Sequence, residues 1–320
     1  MENKKKTEKK SNIGKILLFV MLGFGLFIII FFILIIFLAV FGLFSGGSSS
    51  SFKTGNIALI DVNGMIVGDS SGALFSTEAS SKKLVDLIEQ ADKNKNINAI
   101  IFMVNSPGGS AVATDEIANA IKKTDKTTVA VIREVGASGA YWIASSCDYI
   151  FANKMSIVGS IGVTSSHLGF EGFIDRYNIS YRRIVTGEYK DIGTPFREMN
   201  EEEINLIKEQ LLVLHDVFVD EIAQNRNMEK NDAEKLANGL FWSGVDAKKL
   251  NLIDDFGGKK EAIEYIEKKL NIESKTVEMQ KPPTFMDLLI GVVNDNFYSF
   301  GYGFAAALLK EKNKNNVAYL

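Results

Sequence analysis

Hydrophobic and polar positions follow three patterns along this chain, and each pattern predicts a different element. The first is a block without polar relief: residues 16–44, ILLFVMLGFGLFIIIFFILIIFLAVFGLF, contain no charge. As a helix the block would be roughly 43 Å long, more than the ~30 Å of a hydrocarbon core, so a tilted or overhanging membrane span is predicted. It is about twice the usual ~15-residue limit of a signal-peptide core and ends without a small-x-small cleavage site. A retained signal anchor is therefore expected, followed by a flexible linker over residues 45–55 that begins SGGSSSS.

Beyond the linker, strand and helix periods take turns. NIALIDVNGMIV (56–67) reads as strand, turn and strand, while residues 80–96 place Leu84, Leu87, Ile88 and Ala91 at helical spacing behind a serine start. NAIIFMV (98–104) is a continuous apolar run, the mark of a strand buried on both faces. Helices are predicted over 110–126, 137–147, 200–227, 231–237 and 259–270, with strands over 127–135 and 148–153. Such alternation predicts an α/β layered fold with a largely parallel sheet, its domain spanning 56–270. In the extension 271–320, the apolar stretch 285–309 is broken by Asp287, Asn294, Asp295 and Asn296, which argues against a second span. A packed tail, a membrane-surface segment or an oligomer contact remains open there.

Charge sharpens the topology. Six lysines against Glu2 and Glu8 give the tail 1–15 a net +4, which the positive-inside rule keeps in the cytoplasm, with the remainder outside the membrane. Subtracting that +4 from the chain's −3 leaves −7 beyond the anchor. An acidic ectodomain is not built to neutralise nucleic-acid phosphates, so no nucleic-acid partner is expected. The single cysteine, Cys147, excludes an intramolecular disulfide and a cysteine metal cluster and reads as a small buried apolar residue. With two histidines in the chain, no metal site is expected.

Two strand ends carry unusually small residues. NSPGGSA (105–111) joins a strand to a helix, and its glycines permit a turn whose free amides suit an anion or an oxyanion; a tight turn without a ligand fits equally well. REVGASGAYW (133–142) places Ser138 between Ala137 and Gly139 at a second strand-to-helix turn. That arrangement has the logic of a nucleophile elbow, although the second glycine stands one place early for G-x-S-x-G. A helix N-cap serine is the ordinary alternative. His167 and His215 have no distinctive setting and read as semi-buried structural residues. A buried lysine can take the proton instead, because desolvation lowers its pKa, but residue chemistry alone selects none of the chain's lysines.

The order and spacing of NSPGGSA, REVGASGAYW, IVGSIGV and TGEYKDIGTPFREM resemble those of the signal peptide peptidase A (SppA) family of membrane-anchored Ser/Lys proteases. The resemblance covers residues 56–270 and implies a ClpP/crotonase-like fold of repeated ββα units behind an N-terminal transmembrane helix. It implies Ser138 as nucleophile, Lys190 as general base, Ser160 as the residue holding that lysine, and the amides of Gly109 and Gly139 as oxyanion hole, with Gly108 as an alternative to Gly109. Asp191 would raise the lysine pKa if it faced the same way, and an extended segment would point the two side chains apart. Ala140 departs from the second glycine of many relatives and bears on cleft width.

The reaction so implied is hydrolysis of apolar peptides, such as cleaved signal peptides, through an acyl-enzyme, with no cofactor. A homo-oligomeric dome, with an octamer as the candidate size, is implied too, with the dyad open to completion across a protomer boundary. The rivals are a membrane protease of the NfeD type, a crotonase-like acyl-CoA enzyme and a non-catalytic membrane scaffold.

Overall fold

The computed structural model describes residues 23–34, 55–69 and 78–280. The chain divides into two compact units, residues 1–52 with 283–290 and residues 53–282 with 291–320. In the first unit the described part is a single helix, α1 (23–34), whose side chains are exposed or half-buried. Among the described residues no helix is long and apolar enough to cross a membrane. The rest of the predicted span 16–44, the basic tail and nearly all of the linker lie outside the described residues.

The second unit is built on a mostly parallel sheet. Its elements, in chain order, are β1 (Ile57–Asn63), β2 (Met65–Val67), β3 (Glu78–Ser80), α2 (Ser81–Lys93), β4 (Ala99–Ser106), α3 (Ala111–Lys123), β5 (Thr127–Ala137) and α4 (Gly139–Ser145). They continue with β6 (Tyr149–Ala152), β7 (Ile157–Gly159), α5 (Glu171–Arg176), α6 (Glu201–Asn225), α7 (Lys230–Leu236), β8 (Phe241–Ser243), α8 (Gly244–Lys249), β9 (Asp255–Phe256), α9 (Lys259–Leu270) and β10 (Thr276–Glu278). The strand order is β10-β1-β4-β5-β6-β9, with β7 joined to β5 and β8 to β7. The first strand in that order lies beyond residue 270, so the sheet extends past the predicted domain end: Ile57 pairs Thr276 and Leu59 pairs Glu278. Three residues of β10 are too few to carry a period, and the sequence pattern shows nothing there.

The apolar runs form strands buried on both faces. Ala58, Ile60, Phe102 and Val104 face the larger core, with Ile88 of α2, Ile117 of α3, Ile143 of α4 and Ile222 of α6. Ile57, Leu59, Ile101 and Val131 face a smaller core closed by Ala262 and Ile266 of α9. Each fully buried isoleucine contributes about 1.5–3 kcal/mol of transfer free energy, which is why the continuous runs seat so firmly. Side chains cap the helices where the serine and asparagine starts predict: Ser80 accepts from the Lys83 amide, Ser110 from Ala113, and Asn200 forms a capping box with Glu203.

One strand positions the site. The first part of β5 lies between β4 and β6, with Val129 opposite Tyr149 and Ile132 opposite Ala152. The register against β4 shifts after Val104, and the last three residues of β5 run beside β7 instead, Ala137 opposite Gly159. The residue after this pair on one strand is Ser138, and on the other Ser160.

Candidate active site

Ser138 occupies the N-cap position of α4, yet its side chain makes no capping hydrogen bond. Its backbone lies at φ 53°, ψ −127°, a region that disfavours any side chain. Holding a serine there costs roughly 1–3 kcal/mol, and the surroundings enforce it. The Ser138 amide donates to the Gly159 carbonyl at 2.7 Å, and the Ser138 carbonyl accepts from Tyr141 and Trp142 at 2.9 and 3.1 Å. Gly136, Ala137 and the whole of α4 are buried around it, while Ser138 itself is half-buried. An N-cap whose hydroxyl is withheld from capping and held at positive φ is a nucleophile-elbow conformation, and the ordinary capping role does not describe it.

The glycine turn after β4 packs directly on this elbow. Gly108 is buried at φ 99°, and a Cβ built there would stand 2.9 Å from the Ala137 carbonyl oxygen, the Gly139 nitrogen and Ser138 Cβ. On the far side, a Cβ at Gly139 would meet Thr114 Oγ1 at 2.3 Å. Only hydrogen fits at either place. The turn's amides are sorted by partner. Gly108 N–H donates to Ser106 Oγ at 3.1 Å, and its carbonyl accepts from Ile66 at 2.9 Å. Among the described residues no protein acceptor takes the amides of Gly109 or Gly139. The turn therefore presents Gly109, and not Gly108, as a free donor.

Ser160, at φ 48°, shares the positive-φ conformation of its neighbour across the ladder. Its amide donates to the Leu240 carbonyl at 2.9 Å and its hydroxyl to the Gly239 carbonyl at 3.2 Å, so it is stitched to the loop before β8.

Lys190 sits apart from both serines in bonding. It lies in a chain of turns in which the Lys190 amide donates to Gly187, Ile192 to Tyr189 and Thr194 to Asp191. Its side chain is exposed, and among the described residues neither the Lys190 amine nor the Ser138 hydroxyl has a hydrogen-bond partner. The structure brings together Ser138, Ser160, Gly109 and Gly139; within one chain it does not bond Lys190 to them.

The segment is a series of turns and not the extended strand that would separate Lys190 from Asp191 by alternation. Asp191 is drawn off by ion pairs instead. Arg183 meets its two oxygens at 2.8 and 2.9 Å, and Arg197 reaches both at 3.4 and 3.2 Å. Hydrogen bonds from Arg183 and then Arg197 hold the Asp191 carboxyl well below the usual carboxylate range. Arg197 continues to Glu203 at 2.8 and 2.6 Å, lowering that carboxyl from its ordinary 4.5 to about 2. Tyr189 donates to Glu202 at 2.7 Å, which pushes the phenol up to about 12. The sequence pattern singles out Asp191 but not its partners Arg183 and Arg197 or the acids Glu202 and Glu203, although Arg197 also lies inside TGEYKDIGTPFREM.

The remaining candidates are placed as follows. His215 is half-buried and its Nε2 lies 2.7 Å from the Ala237 carbonyl oxygen, a structural contact. His167 is exposed, contrary to the semi-buried setting expected, because the loop 163–170 leaves the core. Cys147 is buried, and burial raises its thiol pKa far above the reactive range. Among the described residues no three His, Cys, Asp or Glu side chains are grouped to hold a metal ion.

Comparison with known proteins gives a family match and several protease-named relatives. The profile of peptidase family S49 matches residues 120–273, a stretch that contains Ser138, Ser160 and Lys190. A protease-named protein of Methanocaldococcus jannaschii is 32% identical over 208 residues, covering 64% of this chain and 67% of that protein. A protein of Enterococcus faecium named as signal peptide peptidase SppA is 31% identical over 232 residues, 71% of this chain and 67% of its own length. The chloroplast serine protease SPPA of Arabidopsis thaliana is 31% identical over 220 residues, which are 66% of this chain and 32% of that larger protein.

Proposed function

This chain belongs to peptidase family S49, and from that premise we propose that it is a Ser/Lys endopeptidase with Ser138 as nucleophile and Lys190 as general base. Ser138 attacks the scissile carbonyl and passes its proton to the neutral Lys190 amine, which then returns one to the leaving amine. Water, with Lys190 as base again, releases the acyl group. The amides of Gly109 and Gly139 take the developing oxyanion, and Ser160 holds the lysine; no cofactor enters. The fold in this reading is ClpP/crotonase-like, with ββα units that repeat a strand, a short strand and a helix.

The observation that carries this reading is the uncapped hydroxyl of Ser138 at φ 53°, next to two amides without protein acceptors among the described residues. Such a pairing of nucleophile and preorganised donors stabilises a tetrahedral intermediate by several kcal/mol. Lys190 is exposed within one chain, and a lysine general base needs an enclosed setting. In this reading a neighbouring copy in a homo-oligomer encloses it, and the exposed apolar side chains of Leu168, Phe173, Tyr177, Ile179 and Ile184 on the same segment supply contact area. Substrates are apolar peptides of the signal-peptide type. The enzyme is held by its N-terminal anchor in the cell membrane, N-terminus inside and catalytic unit outside.

Ser138→Ala and Lys190→Ala test the assignment. Each is expected to lower hydrolysis of an apolar peptide at least about 10³-fold while circular dichroism and melting temperature stay within error. Turnover within tenfold of wild type in either variant removes that residue from the mechanism.

A further inference from the structure

Lys190 is flanked on both sides by residues tied to the same place. Tyr189, before it, is bonded to Glu202. Asp191, after it, is bonded through Arg197 to Glu203. Glu202 and Glu203 are in the first turn of α6, which is locked by the Asn200 capping box. Arg183 closes the figure from the other side, donating to the Glu188 carbonyl at 2.5 Å as well as to Asp191. Ile174 is the one buried residue between 163 and 200, yet the side chain of Asp191 in that segment is only 13% exposed and that of Glu203 just beyond it 4%. Two bidentate arginines on one carboxylate form a far more directional joint than a surface ion pair.

We propose that Asp191 is a positioning residue for Lys190: with Arg183 and Arg197 it forms an ionic clamp, anchored on α6, that fixes the turn carrying the lysine. The clamp also commits the Asp191 carboxylate to the two arginines. An aspartate next to a general-base lysine would otherwise favour the charged amine and weaken the base. This proposal rests on Lys190 acting as base. The charged groups of the lysine's turn and of the elements packed on it are Glu188 and Asp191 in the turn itself, Arg183 and Arg197 bonded to Asp191, and Glu202 and Glu203 on α6, which face Tyr189 and Arg197.

The clamp makes opposite predictions for its two signs of charge. The full-length protein in detergent would be labelled with a fluorophosphonate, and the labelling rate followed against pH; its acidic limb reports loss of the lysine proton. Asp191→Asn leaves Arg183 unopposed, with Arg197 still on Glu203, so the limb should move to lower pH by roughly half to one unit, with a rate plateau about tenfold down. Arg183→Gln leaves the carboxylate unbalanced, so the limb should move upward by a similar amount. Arg183→Lys keeps the charge but loses the fork and should lower the plateau with the limb in place. Asp191→Glu should recover part of the plateau.

Lys190→Ala serves as the control. If it labels like wild type, the dyad reading falls and the clamp with it. If it is inactive while the limbs of Asp191→Asn and Arg183→Gln both stay in place or move the same way, the clamp alone is overturned.

Discussion

Around Ser138 nearly every neighbour is buried, from Gly136 and Ala137 through Ser145, whereas between residues 163 and 200 only Ile174 is. The nucleophile's conformation is imposed by close packing: Gly108 and Gly139 leave no room for a methyl, and the ladder ends at Ala137 and Gly159. The lysine's turn has no such packing and is held by Asp191, Arg183, Arg197 and Glu203. The middle of α6 shares this character, with Leu212, Val213, Leu214 and Val217 exposed, while Phe218, Val219 and Ile222 beyond them are buried. One chain thus completes one half of the proposed dyad in its own core and carries the other half on a surface arm. Packing suits the strained elbow because it cannot relax a little at a time. Ion pairs suit an exposed arm, because they set direction without needing a core.

The strongest way to break this contrast is to mix the two dead variants. If the arm serves a neighbouring copy, co-assembled Ser138→Ala and Lys190→Ala chains should regain activity at about a quarter of the sites, by random assortment in a symmetric ring. Activity that stays at the level of either variant alone would mean that each chain completes its own dyad.

A smaller effect is expected from Gly108→Ala. A methyl 2.9 Å from Ser138 Cβ, on a residue at φ 99°, must push the elbow or the turn aside. Displacement near 1 Å should cost on the order of 10² in kcat/KM, together with a lowered melting temperature. Wild-type turnover would show that the elbow tolerates slack and is not fixed by packing.

The smallest effect is expected from acid. The Glu203 carboxyl titrates lower in the folded protein than in the unfolded chain. Its contribution is therefore complete above its ordinary 4.5 and is lost as the pH falls towards about 2. Gly108, Ala137, Gly139 and Thr114, which press on the elbow, have no titrating side chain to lose. Limited proteolysis with pepsin between pH 4.5 and 2 should thus cut first within 163–200 and spare β5 and α4. Simultaneous loss of both regions would show that they are not held by different forces.

Much of the fold is readable from periodicity. The serine and asparagine starts and the apolar spacing locate α2, α3 and α6 to within a few residues, and α9 falls on the predicted 259–270. The elements that escape are short: β3, β7, β8, β9 and β10 have two or three residues each and α5 and α8 six each, too few for a period to register. Their places come from partners distant in the chain, as when Ile57 selects Thr276. In the site, the small residues around Ser138 and the glycine turn stand out because close approach demands them. The free amide of Gly109 does not, since its distinction from Gly108 depends on where Ser106 Oγ points. The clamp is invisible for a related reason: arginines and acids are common on surfaces, and nothing local says which will pair.

By itself the sequence determined what each stretch must be, namely an uncharged apolar block, two-sided buried strands, capped helices and two turns that tolerate only the smallest residues. These follow from burial, hydrogen-bond satisfaction and backbone sterics, which act over a few residues. Tertiary structure alone decided that Ser138 and Ser160 end adjacent strands, that Gly108 wedges the elbow, and that Asp191 is claimed by Arg183 and Arg197. Those choices depend on which distant segments meet, because packing and ion pairing are properties of contacts and not of positions in a chain.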